Sequence, residues 1–199
     1  MKSPARFVYL IIMTMILAAC GTQVSRVAVE ETHDLSGAWN DTDSRLVSEE
    51  MIKDMLDRPW YKTHNQRHNK VPAVIVGTVR NLSHEHINLN TFVADIERAM
   101  INSGQIEFVA SSEERQEIRE ERKDQDLNAT ETSRKAMGQE LGADYMLKGS
   151  INTIIDMEDK TQVRYYQVDL DLISLKDNRK VWLGQKKIKK LIKNSSLRY

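Results

Sequence analysis

The last third of the sequence has the hydrophobic pattern that most constrains the fold. Apolar and polar residues alternate strictly from Tyr166 to Leu172. This alternation predicts a strand with one face in the core and the other in solvent. Residues 143–156 and 179–190 also predict strands, and turn formers at 159–160 and 177–178 separate the three. The sequence therefore predicts an antiparallel three-strand meander at the C-terminal end.

The remainder of the chain predicts helices and two shorter strands. Apolar spacing and cap residues predict four helices, at 41–57, 91–103, 113–124 and 130–141. Buried strands are predicted at 71–79 and 106–110, and residues 64–69 predict a polar loop. This order predicts an α+β fold, an antiparallel or mixed sheet with helices packed on one face.

The N-terminus has the three parts of a secretory signal peptide. Two basic residues precede an apolar run at 7–17, and small residues lead to Cys20, the only cysteine. The run is shorter than the roughly 20 residues that a membrane-spanning helix needs. The sequence Leu17-Ala-Ala-Cys resembles the lipobox of bacterial lipoproteins. That resemblance implies cleavage before Cys20 and a lipid on its thiol, and Gly21 beside it implies the outer membrane.

These features divide the chain into a signal peptide at 1–19, a lipid-anchored tether at 20–35 and a single globular domain at 36–199. The tether is polar, and about 15 extended residues reach at most ~50 Å. Without the signal peptide the chain has 27 basic and 29 acidic residues, a net charge of −2. The absence of a basic excess argues against nucleic acid as a partner.

No catalytic or cofactor-binding motif is present. The sequence lacks G-x-S-x-G, G-x4-G-K-[ST], H-E-x-x-H and G-x-G-x-x-G. His84 and His86 flank Glu85, but two imidazoles without a convincing third ligand do not predict a metal site. We therefore expect no enzyme activity, no catalytic residues, no metal and no cofactor.

Two charged segments leave alternatives open. The predicted helix at 113–124 has Ile118 as its only apolar residue, which indicates either a solvated helix or a partner-facing surface. Lysines crowd the final strand between 186 and 193. They protect a sheet edge from pairing with another sheet, or they bind a membrane, a nucleic acid or an acidic partner.

Three segments carry a more specific resemblance. They are DLSGAWNDTD at 34–43, LGADYMLKGS at 141–150, and YYQVDLDLI at 165–173 followed by KVWLGQK at 180–186. Together with the lipobox, they resemble the LpoB family of penicillin-binding-protein activators. This resemblance implies a fold like the N-terminal domain of TolB. It also implies a non-enzymatic lipoprotein in the outer membrane, facing the periplasm, that activates a bifunctional class A penicillin-binding protein, a peptidoglycan synthase.

The family's docking residues cannot be transferred directly. We expect the partner-binding residues in the segment around Trp39 and in the loop after residue 80, at Trp39, Asn40, Asp41, Arg80, His84 and His86. The tether departs from the family pattern, because it is short and lacks proline. The alternative is an accessory lipoprotein for envelope assembly or secretion built on the same domain.

Overall fold

The computed structural model describes residues 24–132 and 140–193. The described residues from His33 onward belong to one compact unit. Residues 24–32 belong to another unit, where the amide of Glu31 closes a turn on the carbonyl of Ala28 at 3.1 Å. No helix in the described ranges is long and apolar enough to cross a membrane.

Four helices and five strands form in these ranges. The helices are α1 (Asp41–Asp57), α2 (Pro59–His68), α3 (Leu89–Asn102) and α4 (Ser112–Asn128). The strands are β1 (Ala73–Leu82), β2 (Glu107–Phe108), β3 (Tyr145–Glu158), β4 (Thr161–Ser174) and β5 (Lys180–Lys193). The α+β class predicted from the sequence is confirmed.

The five strands form one mixed sheet in the order β2-β1-β3-β4-β5. Strand β1 runs parallel to β2 and β3, whereas β3, β4 and β5 form the predicted antiparallel meander. Helices α1 and α3 pack on one face, which we call the helix face. Tyr166, Val168, Leu170 and Leu172 of β4 are buried on this side, as the alternation predicted. The opposite side is the open face.

Helix α1 supplies much of the core because its apolar residues recur on one side. Val47, Met51 and Met55 are almost fully buried, as the spacing predicted. The sequence offers Asp41, Thr42 or Asp43 as the cap of this helix, which is wrong because the cap is Asn40. Asn40 caps the helix by accepting from the amide of Asp43, whose carboxylate accepts in turn from the amide of Asn40.

The loop predicted at 64–69 is wrong, because α2 extends to His68. Pro59 starts this helix, since its fixed φ suits the first helical turn. Trp60 holds the helix against α1 by donating from Nε1 to the carbonyl of Met55 at 2.7 Å. Asn69 ends it in the left-handed conformation, with φ 49°.

Helix α4 buries none of its residues, as its charged sequence predicted. The further helix predicted at 130–141 lies largely outside the described residues, since 133–139 are among those left out. Residues 130–132 and 140–141, which are described, are not helical. The apolar spacing of that predicted helix assigns Leu141 to the core, but Leu141 is 49% exposed, so this assignment is wrong.

Candidate partner-binding surface

The carboxylate of Glu85 joins two of the predicted functional segments. Its Oε2 accepts from the main-chain amide of Trp39 at 3.1 Å, and its Oε1 accepts from Arg164 Nη1 and from the hydroxyl of Tyr166, both at 2.7 Å. The side chains of Glu85 and Arg164 are only 17% and 22% exposed. Because three donors converge on one shielded carboxylate, the segment before α1, the loop after β1 and strand β4 form one rigid unit.

Trp39 packs its ring into this unit. The indole meets Phe92 of α3 edge-on, with centroids 6.0 Å apart, and the ring of Tyr166 at 5.6 Å. The hydroxyl oxygen of Tyr166 also lies 3.2 Å from the carbonyl oxygen of Gly37. Burial and the hydrogen bond to Glu85 raise the pKa of Tyr166, so the phenol stays protonated. Trp39 is therefore mainly a packing residue.

Lys190 fixes the start of the domain to β5. Its Nζ donates to Asp34 Oδ1 at 2.7 Å, to Asp43 Oδ2 at 2.6 Å and to the carbonyl of Ala38 at 3.2 Å. The hydrogen bond from Lys190 lowers the pKa of Asp34. Burial lowers the pKa of Lys190, but its bonds to Asp34 and Asp43 outweigh that effect and raise it.

The loop after β1 is held in one conformation by short-range bonds. Asn81 Oδ1 accepts from the amide of Ser83 at 2.9 Å, and its Nδ2 donates to the carbonyl of Glu85 at 2.8 Å. The loop is tied to β3 through His84, whose amide donates to Thr153 Oγ1 at 3.1 Å and whose Nδ1 lies 2.9 Å from the same oxygen. These bonds leave His86 at the surface.

The structure brings five of the six predicted residues to one side and separates the sixth. Asp41, His84 and His86 are exposed around Glu85, while Trp39 and Asn40 are partly buried there. Arg80 projects from the open face instead, beside Lys148, Ser150 and the two aspartates of β4. We call the exposed side chains of Asp41, His84 and His86 the Glu85 surface.

The sequence pattern missed the residues that hold this surface together. Glu85 stood out only as the centre of a His-Glu-His run, and Lys190 only as part of a basic run. The groups that their side chains bind lie at least 46 residues away in the chain. Within the described ranges, no three acidic, histidine or cysteine side chains form a group that could hold a metal ion.

A second concave region lies at the other end of the sheet. A depression of about 680 Å³ is lined by residues of α2, of the chain at the start of β3 and of the β4–β5 turn, including His64, Arg67, His68 and Asp144. His64 is buried, and its Nδ1 lies 2.9 Å from the Tyr145 hydroxyl. Burial is the main cause that lowers the pKa of His64. This histidine is thus a buried core residue that contacts the Tyr145 hydroxyl.

The comparison with known families bears on this whole region. The family model described as "Peptidoglycan-synthase activator LpoB" matches residues 43–188, which is most of the chain. The chain belongs to the LpoB family. The matched range includes Arg80, His84 and His86, whereas Trp39, Asn40 and Asp41 lie just before it. LpoB-family membership confirms the resemblance seen in the sequence.

Solved structures similar to this LpoB-family chain include three of LpoB itself. The LpoB C-terminal domain from Escherichia coli is 16% identical, with 73% of this chain and 98% of that chain covered and a TM-score of 0.43. The same domain from Salmonella enterica is also 16% identical, with 73% of this chain and 98% of that chain covered and a TM-score of 0.40. The solution structure of E. coli LpoB is 12% identical, covering 88% of this chain and 83% of that chain at a TM-score of 0.41. No curated protein matches the chain.

Proposed function

We propose that this chain is a lipid-anchored outer-membrane protein that binds a bifunctional class A penicillin-binding protein from the periplasmic side and activates it. The observation that carries the proposal is the family match over residues 43–188, whose description is that of a peptidoglycan-synthase activator. In this proposal the mature chain begins at Cys20, which carries the lipid. The protein itself performs no chemistry and needs no cofactor.

Activation by a non-enzymatic partner is a coupling of two equilibria. A ligand shifts a two-state protein only by binding one state more tightly than the other. We propose that the Glu85 surface makes these contacts, because its backbone is held by side-chain bonds in one conformation. A preformed surface loses little conformational freedom on binding. Asp41 and His86 are the residues best suited to direct contact, since both side chains are exposed and neither has a hydrogen bond or ion pair to another described residue.

A binding experiment tests this proposal. The chain from residue 21 onward is titrated into each class A penicillin-binding protein of its own organism, and association is measured by calorimetry. We expect saturable binding to at least one synthase. If none binds, the domain is an accessory lipoprotein for envelope assembly or secretion, and the proposed activation is wrong.

A further inference from the structure

The open face carries an exposed apolar patch near the hairpin that joins β3 to β4. Ile154 and Leu191 are 64% and 62% exposed. Cross-strand pairing sets Ile154 opposite Tyr165 and Leu191 opposite Val163. Leu82, at 52% exposure, extends the same face onto β1. Directly paired residues of a sheet share a face and lie in contact, and diagonal neighbours on the same face are still within reach of long side chains. Leu82 pairs with Asn152 and is therefore a diagonal neighbour of Ile154. We call the surface formed by these five residues the apolar patch.

The lysines of β5 behave differently on the two faces of the sheet. Lys187, Lys189 and Lys193 share the open face with Leu191, because side chains alternate along a strand. None of the three has an ion pair or hydrogen bond among the described residues. Lys186 and Lys190, on the helix face, both pair with carboxylates. Ion pairs within the described domain therefore explain the two lysines of the helix face. They do not explain Lys187, Lys189 and Lys193, which we call the outer lysines.

The charge around the apolar patch is positive. Lys187, Lys189 and Lys193 lie on this part of the face together with two acidic residues, Asp156 and Glu158. Three basic and two acidic side chains give a net charge of +1, and Arg80 and Asp169 in the next row cancel each other. The other half of the open face differs, because Lys180 there pairs with Asp171.

The domain begins beside the same end of β5. Asp34 is bonded to Lys190, and Gly37 lies against the side chain of Ile192. Gly37 has φ +68°, and a Cβ at this position would collide with Ile192, so only glycine permits the contact. In the sequence, residues 21–33 separate Asp34 from Cys20, a span of at most ~50 Å when extended. A membrane that holds Cys20 is therefore always within reach of the apolar patch.

We infer that the apolar patch seats the domain on the phospholipid surface to which Cys20 is anchored. Leu82, Ile154 and Leu191 enter the boundary between headgroups and acyl chains, and the outer lysines meet anionic headgroups. Weak contact suffices, because a short tether gives a local concentration on the order of millimolar. The inference rests on the lipid anchor of the proposed function and extends it, since the Glu85 surface, which adjoins the helix face, then remains open to a partner.

Lysine footprinting on vesicles tests the inference. The mature chain, which has one cysteine, is coupled through Cys20 to a maleimide lipid in vesicles of phosphatidylethanolamine with a minority of phosphatidylglycerol. The main core lies between residues 39 and 188, so this chain keeps it. Acetylation rates are compared with those of the same chain coupled to a soluble maleimide. We expect several-fold slower labelling of Lys187, Lys189 and Lys193, and no change at Lys123 on α4.

A matched pair of variants makes the test specific. The double variant I154S and L191S should lose the protection. L183S should keep it, because Leu183 is 64% exposed on the same face of β5 but lies at the other end. Equal labelling of all lysines in the anchored and soluble forms would overturn the inference. So would protection that appears only when a synthase is added, because the patch would then be a protein interface.

The two proposals fail separately. The footprint is measured first on vesicles without a synthase, so its absence there leaves the activator function untouched. Calorimetry with the unanchored chain needs no membrane. A failure of every synthase to bind the chain therefore leaves the membrane contact untouched. The mass of the chain purified from its own envelope checks the shared premise. An unmodified Cys20 would overturn the membrane contact.

Discussion

The main-chain amide of Trp39 donates a 3.1 Å hydrogen bond to Oε2 of Glu85, 46 residues further along the chain. The other oxygen of this carboxylate binds Arg164 and Tyr166. One carboxylate thus connects the segment before α1, the loop after β1 and strand β4. Together with the bonds from His84 to Thr153, this arrangement holds the segments that carry the Glu85 surface.

Replacing Glu85 tests whether this connection stabilises the domain. In E85A the Arg164 guanidinium and the Trp39 amide lose this acceptor while remaining shielded from water, and the Tyr166 hydroxyl keeps only the longer contact to the Gly37 carbonyl. We expect the free energy of unfolding to fall by about 2–4 kcal/mol. Urea unfolding measures the change.

E117A on α4 is the matched control for E85A. Glu117 lies on a helix that buries nothing, so the free energy of unfolding should change by less than about 0.5 kcal/mol. Equal effects of the two substitutions would contradict the role given to Glu85.

Neighbouring lysines of β5 provide a second comparison. Lys190 is 10% exposed between the carboxylates of Asp34 and Asp43, whereas Lys187 faces solvent. K190M leaves Asp43 partly buried without its cation, so we expect a loss of about 2 kcal/mol in the free energy of unfolding. K187M should change it by less than about 0.5 kcal/mol. Carbon-detected NMR should also show that the pKa of Asp34 rises in K190M and not in K187M. An unchanged Asp34 pKa in K190M would contradict the hydrogen bond between Lys190 and Asp34.

Stability should depend on pH through His64. Burial lowers its folded-state pKa below the ordinary value of 6.5. Between the folded-state pKa and 6.5 the unfolded chain binds more protons than the folded one, so stability rises with pH across this window. On acidification, the free energy of unfolding should therefore begin to fall as the pH passes 6.5.

The variant H64Q isolates this effect. It removes the buried titrating group, so the slope of stability against pH just below 6.5 should become shallower. H86Q, which changes an exposed histidine, should keep the original slope. An unchanged slope in H64Q would show that another group is responsible.

Much of the fold could be predicted because its signals are local. The alternation at Tyr166 to Leu172 gave β4, and the spacing of Val47, Met51 and Met55 gave the buried side of α1. Helix α2 was missed because its sequence is polar. Its position depends on Pro59 at the first turn and on the contact of Trp60 with Met55, which only the fold reveals.

The candidate surface was only partly predictable for the same reason. Asp41, His84 and His86 were named from polar, turn-rich segments and do lie on one side of the domain. Arg80 was grouped with them because it is close in sequence. It faces the other way because the strand continues to Leu82, and strand residues alternate between faces. Glu85 was out of reach because its partners come from distant parts of the chain.

The most direct measurement of the central claim is lipid II consumption by the synthase. The chain from residue 21 onward is added to the class A penicillin-binding protein that binds it, alongside the double variant D41R and H86E and the control K123A. The account predicts faster turnover with the unaltered chain and with K123A, and at least a tenfold loss of apparent affinity with the double variant. A synthase that binds the chain but turns over lipid II at its basal rate would contradict the claim that this protein is an activator.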